Sequence, residues 1–583
     1  MSETQTTPPI ARAIPLGPWL LLALILNLVA LSAGGFDPDL ECWANWTTHL
    51  QNQGYTNLTA NYPPMYIHWL WLVAQFYTYF KIPVALGSLI KFWALTPVFV
   101  AHLTLLAVLH RFLVRQNAPT SWWMPLMALT CINPAFLMNG PAWGQVDLVF
   151  SVMVALVIAL LISDKHPRWI FLLIVAALLT KFQTIAIAPV LGGLLWVRKR
   201  QLLPGIIPAA ILLVLCTLPY LLMGNLLLMI QQAYLGSAST YPFASYNAAN
   251  LWYLLGLNSM SDIRFLFDMT RDAQGWELIF TPKYFGMGSF SLLSLWLLWD
   301  SARHQEAARW WRNAIVSAVG FFLLLPAMHE RYLFLAIPIA LVAAAQDRRF
   351  VPVAFLLTFF NFFNTIWVMA PHGGNLPHAL AAGTILFAIV LAFGNKIPWE
   401  RIAAFTALRT PVWVAACGLL WLLALTDIAG DVIRVERSKD LPPGWIKASQ
   451  VNGRETEQAW GSLHVDQSVD GAPLHVGGKT YGFGFGTHAA SSIRMPVPTG
   501  ASSFQAKVGV DDECKGGHVE FEVLVDGVSA WKSGPVDGGQ DAREIHVPLN
   551  GAQRIELKVD PLGSNEFDHA DWVETSFQVP IEH

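Results

Sequence analysis

Long apolar stretches recur through the first 430 residues and constrain the fold more than any other feature. A helix needs roughly 20 apolar residues to cross a bilayer, and fewer where helices are short or broken. The whole chain is 54% apolar and only 13% charged, which is typical of a polytopic membrane protein. We predict about thirteen spans, at residues 16–34, 88–110, 122–138, 146–163, 168–180, 182–197, 203–223, 284–299, 313–328, 332–346, 350–369, 378–394 and 412–429.

Basic residues between these spans predict the orientation of the chain. Residues 64–80 are interpreted as a juxtamembrane helix, because only then do the basic loops share one side. The first span has no small-residue cleavage site after it, so we expect an uncleaved anchor with a cytoplasmic N-terminus in the plasma membrane. By the positive-inside rule, the cytoplasmic turns are those with Arg111, Arg115, Lys165, Arg168, Arg198, Lys199, Arg200, Arg303, Arg309, Arg312, Arg348, Arg349, Lys396, Arg401 and Arg409.

On this topology the remaining polar clusters all lie on the extracytoplasmic face. Three acidic residues follow the first span, with Trp43 and Trp46 beside them, and no Lys or Arg follows until Lys81. Charged groups at membrane depth are costly and usually functional. We therefore expect one outer-face site, drawn from Asp37, Asp39, Glu41, Trp46, Tyr62, Gln145, Asp147, Lys181, Gln183, His329, Glu330 and Arg331.

These residue types suit transfer of a sugar from a polyprenyl phosphate. The leaving phosphate is already a good anion, so one carboxylate base and one or two cations would suffice. Hydrolysis of a glycosidic bond would instead need paired carboxylates. The candidate base is Asp39 or Asp37, and the candidate phosphate holders are Lys181, Arg331 and His329.

Structural roles remain open for several of these residues. Asp37 precedes Pro38 and could simply start a turn, which is the role we favour for it. Glu41 could stabilise a helix N-terminus, and Trp43 and Trp46 could be interfacial belt residues. Asp147 could cap the start of a span.

The order of these motifs resembles the GT-C glycosyltransferases. Asp39-Leu40-Glu41 with Trp46, then Asn61-Tyr62-Pro63-Pro64, is similar to the first external loop of the glucosyl- and mannosyltransferases that build lipid-linked oligosaccharides. Lys181-Phe182-Gln183 and His329-Glu330-Arg331-Tyr332 resemble further family segments. The resemblance covers nearly all of residues 16–430.

This resemblance implies an inverting transferase with a polyprenyl-phosphate sugar as donor and no required cofactor. It assigns the base to Asp39, phosphate binding to Lys181, Gln183, His329 and Arg331, and supporting roles to the other outer-face residues. Asn61 and Leu40 depart from the family pattern, which has Asp and an aromatic residue there. The sugar, whether mannose, glucose or similar, therefore stays open.

The chain changes character after about residue 430. Residues 431–583 carry 23 acidic and 13 basic side chains, whereas residues 1–430 carry 16 and 23. Residues 519–525 and 554–559 alternate with period two, and Asp526-Gly527 predicts a hairpin turn. We predict a transmembrane domain at 1–430, a linker at 431–457 and a β-sandwich at 458–583. The five cysteines indicate no disulfide framework.

Several segments of the C-terminal part resemble the NPCBM carbohydrate-binding family. The segments are 474–481, 484–489, 508–512 and 568–572, and the resemblance implies glycan contact. Trp531 and Trp572 could stack on sugars beside Asp571, although Trp572 suits the core. Oxygen ligands for calcium could come from Asp511, Asp512, Asp568 and Asp571, which more readily cap turns. No nucleotide-binding glycine loop and no Cys/His metal spacing occur, so we assign no metal site and no nucleic acid partner.

We therefore expect a polytopic all-α glycosyltransferase with a C-terminal all-β domain. Its partners would be the bilayer, the polyprenyl-phosphate-sugar donor, and a glycan, glycolipid or protein acceptor. The alternative is a transporter or flippase of lipid-linked sugars, which would place ionisable groups at mid-membrane and commonly shows internal repeats. A carbohydrate-binding surface anchor without catalysis would need only one span.

Overall fold

The chain forms two compact units, residues Met1–Trp421 and Leu422–His583. The computed structural model describes residues 15–33, 35–84, 87–163, 167–198, 203–236, 242–267, 271–369, 376–393, 441–442, 444–451, 453–461, 463–470, 473–514, 516–563, 565 and 567–580. The first unit is helical and the second is all-β.

Helices account for most of the described part of the first unit. Proline starts α3, where the extended Pro63 precedes Pro64, because proline fits the first turn of a helix. The α-helices are α1 Gly17–Leu31, α2 Asp37–Gln53, α3 Pro64–Phe80, α4 Ser88–Arg115, α5 Thr120–Cys131, α6 Pro134–Leu137, α7 Asp147–Ser163, α8 Pro167–Thr180, α9 Ala188–Arg198, α10 Ile206–Leu222, α11 Leu226–Ile230, α12 Leu251–Leu254, α13 Pro282–Arg303, α14 Ala307–Leu324, α15 Ala336–Gln346, α16 Val351–Met369 and α17 Leu376–Phe393.

Twelve of the thirteen predicted spans coincide with helical segments, and the thirteenth, 412–429, lies outside the described residues. Two helices in the described part of the chain, Ser88–Arg115 and Arg348–Val368, are both long and apolar enough to cross a membrane. Eight shorter apolar helices accompany them. The helical fold is thus confirmed, whereas thirteen membrane crossings remain a prediction.

Two of the short irregular helices of the first unit lie beside predicted site residues. A π-helix, Met138–Trp143, follows α6 directly, and a 3-10 helix, Phe182–Ile187, joins α8 to α9. Gln145 and Asp147 follow the first of these helices, and the second follows Lys181 and contains Gln183. Irregular helices are frequent where side chains must be aimed at a site.

The second unit is a β-sandwich, as predicted. One sheet has the order β11-β8-β13-β6-β3 with β1 paired to β13, the other has the order β10-β9-β12-β7-β2, and β4 pairs with β5. The strands are β1 Trp445–Lys447, β2 Glu455–Gln458, β3 His464–Val465, β4 His475–Val476, β5 Lys479–Thr480, β6 Gly484–His488, β7 Ser491–Pro496, β8 Ser503–Val510, β9 His518–Val525, β10 Val528–Asp537, β11 Arg543–Pro548, β12 Arg554–Pro561 and β13 His569–Gln578.

The core of the sandwich lies between its two sheets. The rings of Phe521 on β9 and Trp572 on β13 meet edge to face at 5.2 Å. The predicted hairpin joins β9 to β10, and Asp526 and Gly527 have the positive φ values that a type I′ turn requires. One boundary needs correction, because β1 and β2 fall within the predicted linker 431–457 or cross its end.

Candidate functional site

The start of α2 is hydrogen-bonded to the last residue of the π-helix and to Gly144, which follows it. The Trp143 indole Nε1 donates to Asp39 Oδ2 at 2.7 Å, and the backbone N–H of Phe36 donates to the Trp143 carbonyl at 2.9 Å. The Trp43 indole donates to the Gly144 carbonyl at 2.9 Å. The Asp39 carboxylate is thereby held at a fixed place beside a neutral donor.

Leu40 fills the space between two glycines at this junction. A Cβ at Gly35 would lie 2.6 Å from one Leu40 methyl group, and a Cβ at Gly144 would lie 2.8 Å from the other. Both glycines have positive φ, 101° and 117°, a conformation that other residues rarely adopt. The departure of Leu40 from the aromatic family pattern therefore matches the narrow space around it.

A second set of polar side chains surrounds Lys181. Its ammonium group forms an ion pair with Asp147 and lies 3.4 Å from Gln145 Oε1. The Tyr62 hydroxyl donates to the same Gln145 oxygen at 3.0 Å, and the Tyr62 ring lies 5.1 Å from the Lys181 ammonium. Asn139 donates to the other Asp147 oxygen at 3.1 Å. The charge of Lys181 is thus offset by a carboxylate while its position is fixed.

The third set lies between α14 and α15. Arg331 Nη1 donates to Glu330 Oε1 at 2.6 Å, and His329 Nδ1 lies 3.8 Å from the other Glu330 oxygen. The Arg331 guanidinium lies 5.7 Å from the centre of the Trp143 ring. Trp143 therefore contacts Asp39 through its N–H and Arg331 through its face, which joins the first set to the third. Tyr62 of the second set meets the Trp43 ring edge to face at 5.0 Å, which joins the second set to the first.

Burial controls protonation in the 329–331 loop. Burial, together with the cations of Arg331 and Lys181, lowers the pKa of His329 well below its usual value. Burial raises the pKa of Glu330, which the adjacent Arg331 opposes. His329 is therefore neutral at pH 7, and we expect it to supply a hydrogen bond rather than a charge to a bound anion.

Most of the predicted outer-face residues come together, whereas Glu41 and Gln183 do not. Glu41 is exposed on α2 and makes none of the contacts of the site among the described residues. Gln183 is half-buried in the 3-10 helix, away from this hydrogen-bonded set, and the side chain of Asp37 lies outside the described residues. Trp46 packs against Tyr62 with ring centres 5.6 Å apart, so it has a packing role here.

Trp143 is the functional residue that sequence reasoning missed. It belonged to a polar run in the sequence, but an apolar indole gave no sign that it would connect a carboxylate to a cation. Its position depends on the π-helix, which contains Pro141 and ends at the left-handed Gly144. Asn139, which orients Asp147, was missed for the same reason.

The β-sandwich carries a second candidate site at one end of β13. Trp460 is 52% exposed, and its ring is nearly parallel to that of His569 at 5.8 Å. His488 packs against both rings, at 5.1 and 5.4 Å. An exposed aromatic face beside polar groups is the arrangement that binds amphipathic rings such as sugars. Sequence reasoning missed this surface because its rings come from three separate segments.

The residues predicted for this role in the C-terminal unit lie elsewhere. Trp572 and Asp571 are both fully buried, Trp572 in the core, which corrects the prediction that they face a sugar. Trp531 is half-buried and packs against the core from the other sheet. Asp511, Asp512 and Asp568 accept backbone N–H groups of nearby turns, at 2.7 to 3.1 Å, as the turn-capping alternative requires.

Comparisons with known proteins concern chiefly the second unit. Residues 444–578 match the model of the NPCBM/NEW2 domain. The chain is 37% identical over 128 residues to alpha-1,3-galactosidase B of Akkermansia muciniphila, which is 21% of this chain and 16% of that relative. The chain thus spans only a small part of this curated relative.

Two solved structures are also similar. One is CBM51 from Clostridium perfringens GH95 in complex with methyl-galactose, 26% identical, with coverage of 23% of this chain and 99% of that chain and a TM-score of 0.22. The other is arabinosyltransferase EmbB from Mycobacterium smegmatis, 13% identical, with coverage of 100% and 66% and a TM-score of 0.38. A whole-chain similarity of that strength is weak. The C-terminal unit carries an NPCBM carbohydrate-binding domain.

Proposed function

We propose that this chain is a membrane glycosyltransferase that moves a sugar from a polyprenyl-phosphate donor to a glycan or glycolipid acceptor on the extracytoplasmic face. The observation that carries the proposal is which group holds the Asp39 carboxylate. Its carboxylate is held by the neutral Trp143 indole, whereas the carboxylates of Asp147 and Glu330 are each paired with a cation. No ion pair involves Asp39 within the described residues.

A carboxylate that is held by a neutral donor and not by a cation is suited to general-base catalysis. An ion-paired carboxylate has its lone pairs engaged by a cation, which makes it a weaker proton acceptor. In the proposed reaction Asp39 takes the proton of the acceptor hydroxyl as that oxygen bonds to the anomeric carbon. The bond from that carbon to the phosphate oxygen breaks, both electrons stay on the phosphate, and the configuration inverts.

Arg331 is suited to bind the phosphate that leaves. Glu330 engages one of its terminal nitrogens, and Arg331 Nε is buried without a hydrogen-bond acceptor in the described part of the chain. An unused N–H aimed into a site stabilises charge that develops there during reaction. Lys181 and the neutral His329 would add a second cation and a hydrogen bond.

The apolar exterior of the first unit supports a membrane location. Leu215 on α10, Leu222 at its end and Leu292 on α13 are 61 to 73% exposed. Large exposed apolar areas are unfavourable in water and favourable against lipid. This location would give the site direct access to a lipid-linked donor.

The C-terminal domain would hold the glycan acceptor. A sugar ring stacked on Trp460 would find the polar groups of His488 and His569 at its edge. Because the domain is on the same chain as the transferase unit, binding there raises the effective concentration of the acceptor.

The role of Asp39 as the general base is tested with purified full-length protein in lipid vesicles. The vesicles contain a polyprenyl-phosphate mannose or glucose donor. Asp39→Asn keeps the size of the side chain and its bond to Trp143 Nε1, so donor binding should persist. We expect transfer to fall at least about 100-fold, within the usual range for loss of a general base.

Asp272→Asn is the matched control, because Asp272 is a half-exposed carboxylate paired with Arg264 and makes no contact with the site. It should transfer sugar at the wild-type rate. Wild-type turnover by Asp39→Asn would remove Asp39 from the reaction. Transport of the donor without transfer by the wild-type protein would instead favour the flippase alternative.

A further inference from the structure

A buried lysine lies beside the junction that carries the proposed base. Lys91 is near the start of α4 and is 2% exposed. An ammonium group has three N–H donors, and that of Lys91 donates to the backbone carbonyls of Ala33 at 2.6 Å, Ala142 at 3.0 Å and Leu31 at 3.4 Å. Burial of a charge is costly unless hydrogen bonds stabilise it. These carbonyls therefore help to keep a lysine inside an apolar unit.

Two of the three carbonyls lie at the C-terminal end of α1. Leu31 is the last residue of that helix, and Ala33 follows it by two positions. The last carbonyls of a helix have no partner within the helix and carry partial negative charge, so a cation there is favourable. Lys91 thus fixes the place where α1 ends and the loop to α2 starts.

The third carbonyl connects the same ammonium group to the π-helix. Ala142 immediately precedes Trp143, whose indole holds the Asp39 carboxylate. The loop between α1 and α2 passes through the same space, because a Cβ at Gly35 would lie 3.2 Å from Lys91 Nζ and 3.3 Å from the Trp143 carbonyl oxygen. One cation therefore contacts both chain segments that lead to the hydrogen bond between Trp143 and Asp39.

We propose that Lys91 is a positioning residue of the transferase, an inference that rests on the function proposed above. It acts through the backbone, by setting the separation between the start of α2 and the end of the π-helix. The Asp39 carboxylate then meets the acceptor hydroxyl in a fixed geometry. A misplacement of about 1 Å in an active site can cost about 100-fold in rate. Sequence reasoning did not single out Lys91, because it lies inside the predicted span 88–110 and its acceptors come from two separate segments.

Lys91→Met in the full-length protein removes the ammonium group but keeps most of the apolar length of the side chain. Initial rates in vesicles that contain the polyprenyl-phosphate mannose or glucose donor should show kcat about tenfold lower or more, with the KM for the donor changed less than about threefold. In Lys91→Met/Trp143→Phe, kcat should fall no further than in the more impaired single variant, because both substitutions act on one hydrogen bond. The effects of two independent residues would instead multiply.

Amide hydrogen exchange gives a readout that needs no transfer activity. The backbone N–H of Phe36 donates to the Trp143 carbonyl at 2.9 Å, and loss of Lys91 should free it more often. We expect peptides that contain Phe36 or residues 139–145 to exchange about tenfold faster in Lys91→Met, while peptides of the β-sandwich keep the wild-type rate. Absence of transfer by the wild type would reject the proposed function, whereas the exchange result still decides whether Lys91 holds the junction.

Lys283→Met is the matched control, because Lys283 is also near the start of a helix, α13, and pairs with Asp262 at 3.3 Å outside the site. It should keep the wild-type kcat and the wild-type exchange in both segments. Lys91→Gln keeps an N–H donor and should have a kcat between those of the wild type and Lys91→Met.

The inference is overturned if folded Lys91→Met transfers sugar at the wild-type rate while Asp39→Asn is impaired. Unchanged exchange in both segments overturns it as well. Circular dichroism shows whether each variant keeps its helices, and the same two criteria apply to Lys91→Gln should Lys91→Met not fold.

Discussion

Single side chains set the geometry of the candidate site in the first unit, and Trp143 is the most informative of them. Its N–H fixes Asp39 and its ring faces Arg331, so one indole sets the separation between the proposed base and the proposed phosphate ligand. A neutral donor can orient a carboxylate without reducing its basicity as much as a cation does. The choice of tryptophan over a basic residue at this position therefore has a chemical consequence.

Trp143→Phe tests this role directly. The variant keeps an aromatic face for Arg331 but loses the N–H, and a hydrogen bond to a charged group contributes about 1.5–3 kcal/mol. We expect kcat to fall about tenfold or more, with the KM for the donor changed less than about threefold, measured as initial rates in vesicles.

Trp122→Phe is the control for that substitution, because Trp122 Nε1 donates to the Ala344 carbonyl outside the site. Its kcat should match the wild type. An unchanged kcat in Trp143→Phe would show that Asp39 does not depend on the indole.

At the scale of elements, the junction between α2 and the 138–147 segment positions the site. Gly144 combines a positive φ with a Cβ position blocked by Leu40, so any side chain there both strains the backbone and forces the Leu40 side chain on α2 to move. Strain at a left-handed position costs of order 1–3 kcal/mol.

Gly144→Ala should lower both the melting temperature and the transfer rate, because the crowded Leu40 is the chain neighbour of Asp39 on α2. Gly224→Ala is a matched comparison, since Gly224 also has a positive φ, 73°, but open space where its Cβ would be. Thermal denaturation should show the larger loss for Gly144→Ala. Equal losses would mean that strain alone, without displacement of Leu40, explains the effect.

The positions of elements were predictable where periodicity was strong. Apolar runs located twelve helical segments, and the alternation at 519–525 with Asp526-Gly527 located a hairpin. The start of the sandwich was placed too late, because the three-residue β1 has no recognisable alternation and is fixed only by pairing with β13.

The site was less predictable than the fold. The charged residues predicted for the outer face could be found because charge in an apolar chain is conspicuous. Their pairing could not, because Lys181 meets Asp147 through tertiary packing. Trp460 was missed for a related reason, since no spacing in the sequence links it to His488 and His569.

At the scale of the whole molecule, one chain joins the proposed transferase unit to the NPCBM domain. If the domain holds the acceptor, its loss should affect capture of a glycan but not the chemical step, because the reacting groups belong to the first unit. Each unit then contributes to a different kinetic constant.

Trp460→Ala in the full-length protein separates the two contributions. Removing an aromatic contact at the centre of a binding surface typically costs more than about 1 kcal/mol. We expect the KM for a large glycan acceptor to rise about tenfold while kcat and the KM for the donor stay unchanged. Trp276→Ala, which removes a still more exposed indole from the first unit, should leave all three constants unchanged.

Strand β13 also sets the distance between a captured acceptor and the first strand of the domain. It begins at His569, in contact with Trp460, and ends at Gln578, which is opposite Trp445 on the first strand after the connecting segment. Nine residues of extended chain measure about 30 Å. A sugar bound at Trp460 would therefore lie roughly that distance from the strand with which the described part of the domain begins. Sugar capture and entry of the chain into the sandwich thus take place at opposite ends of one strand.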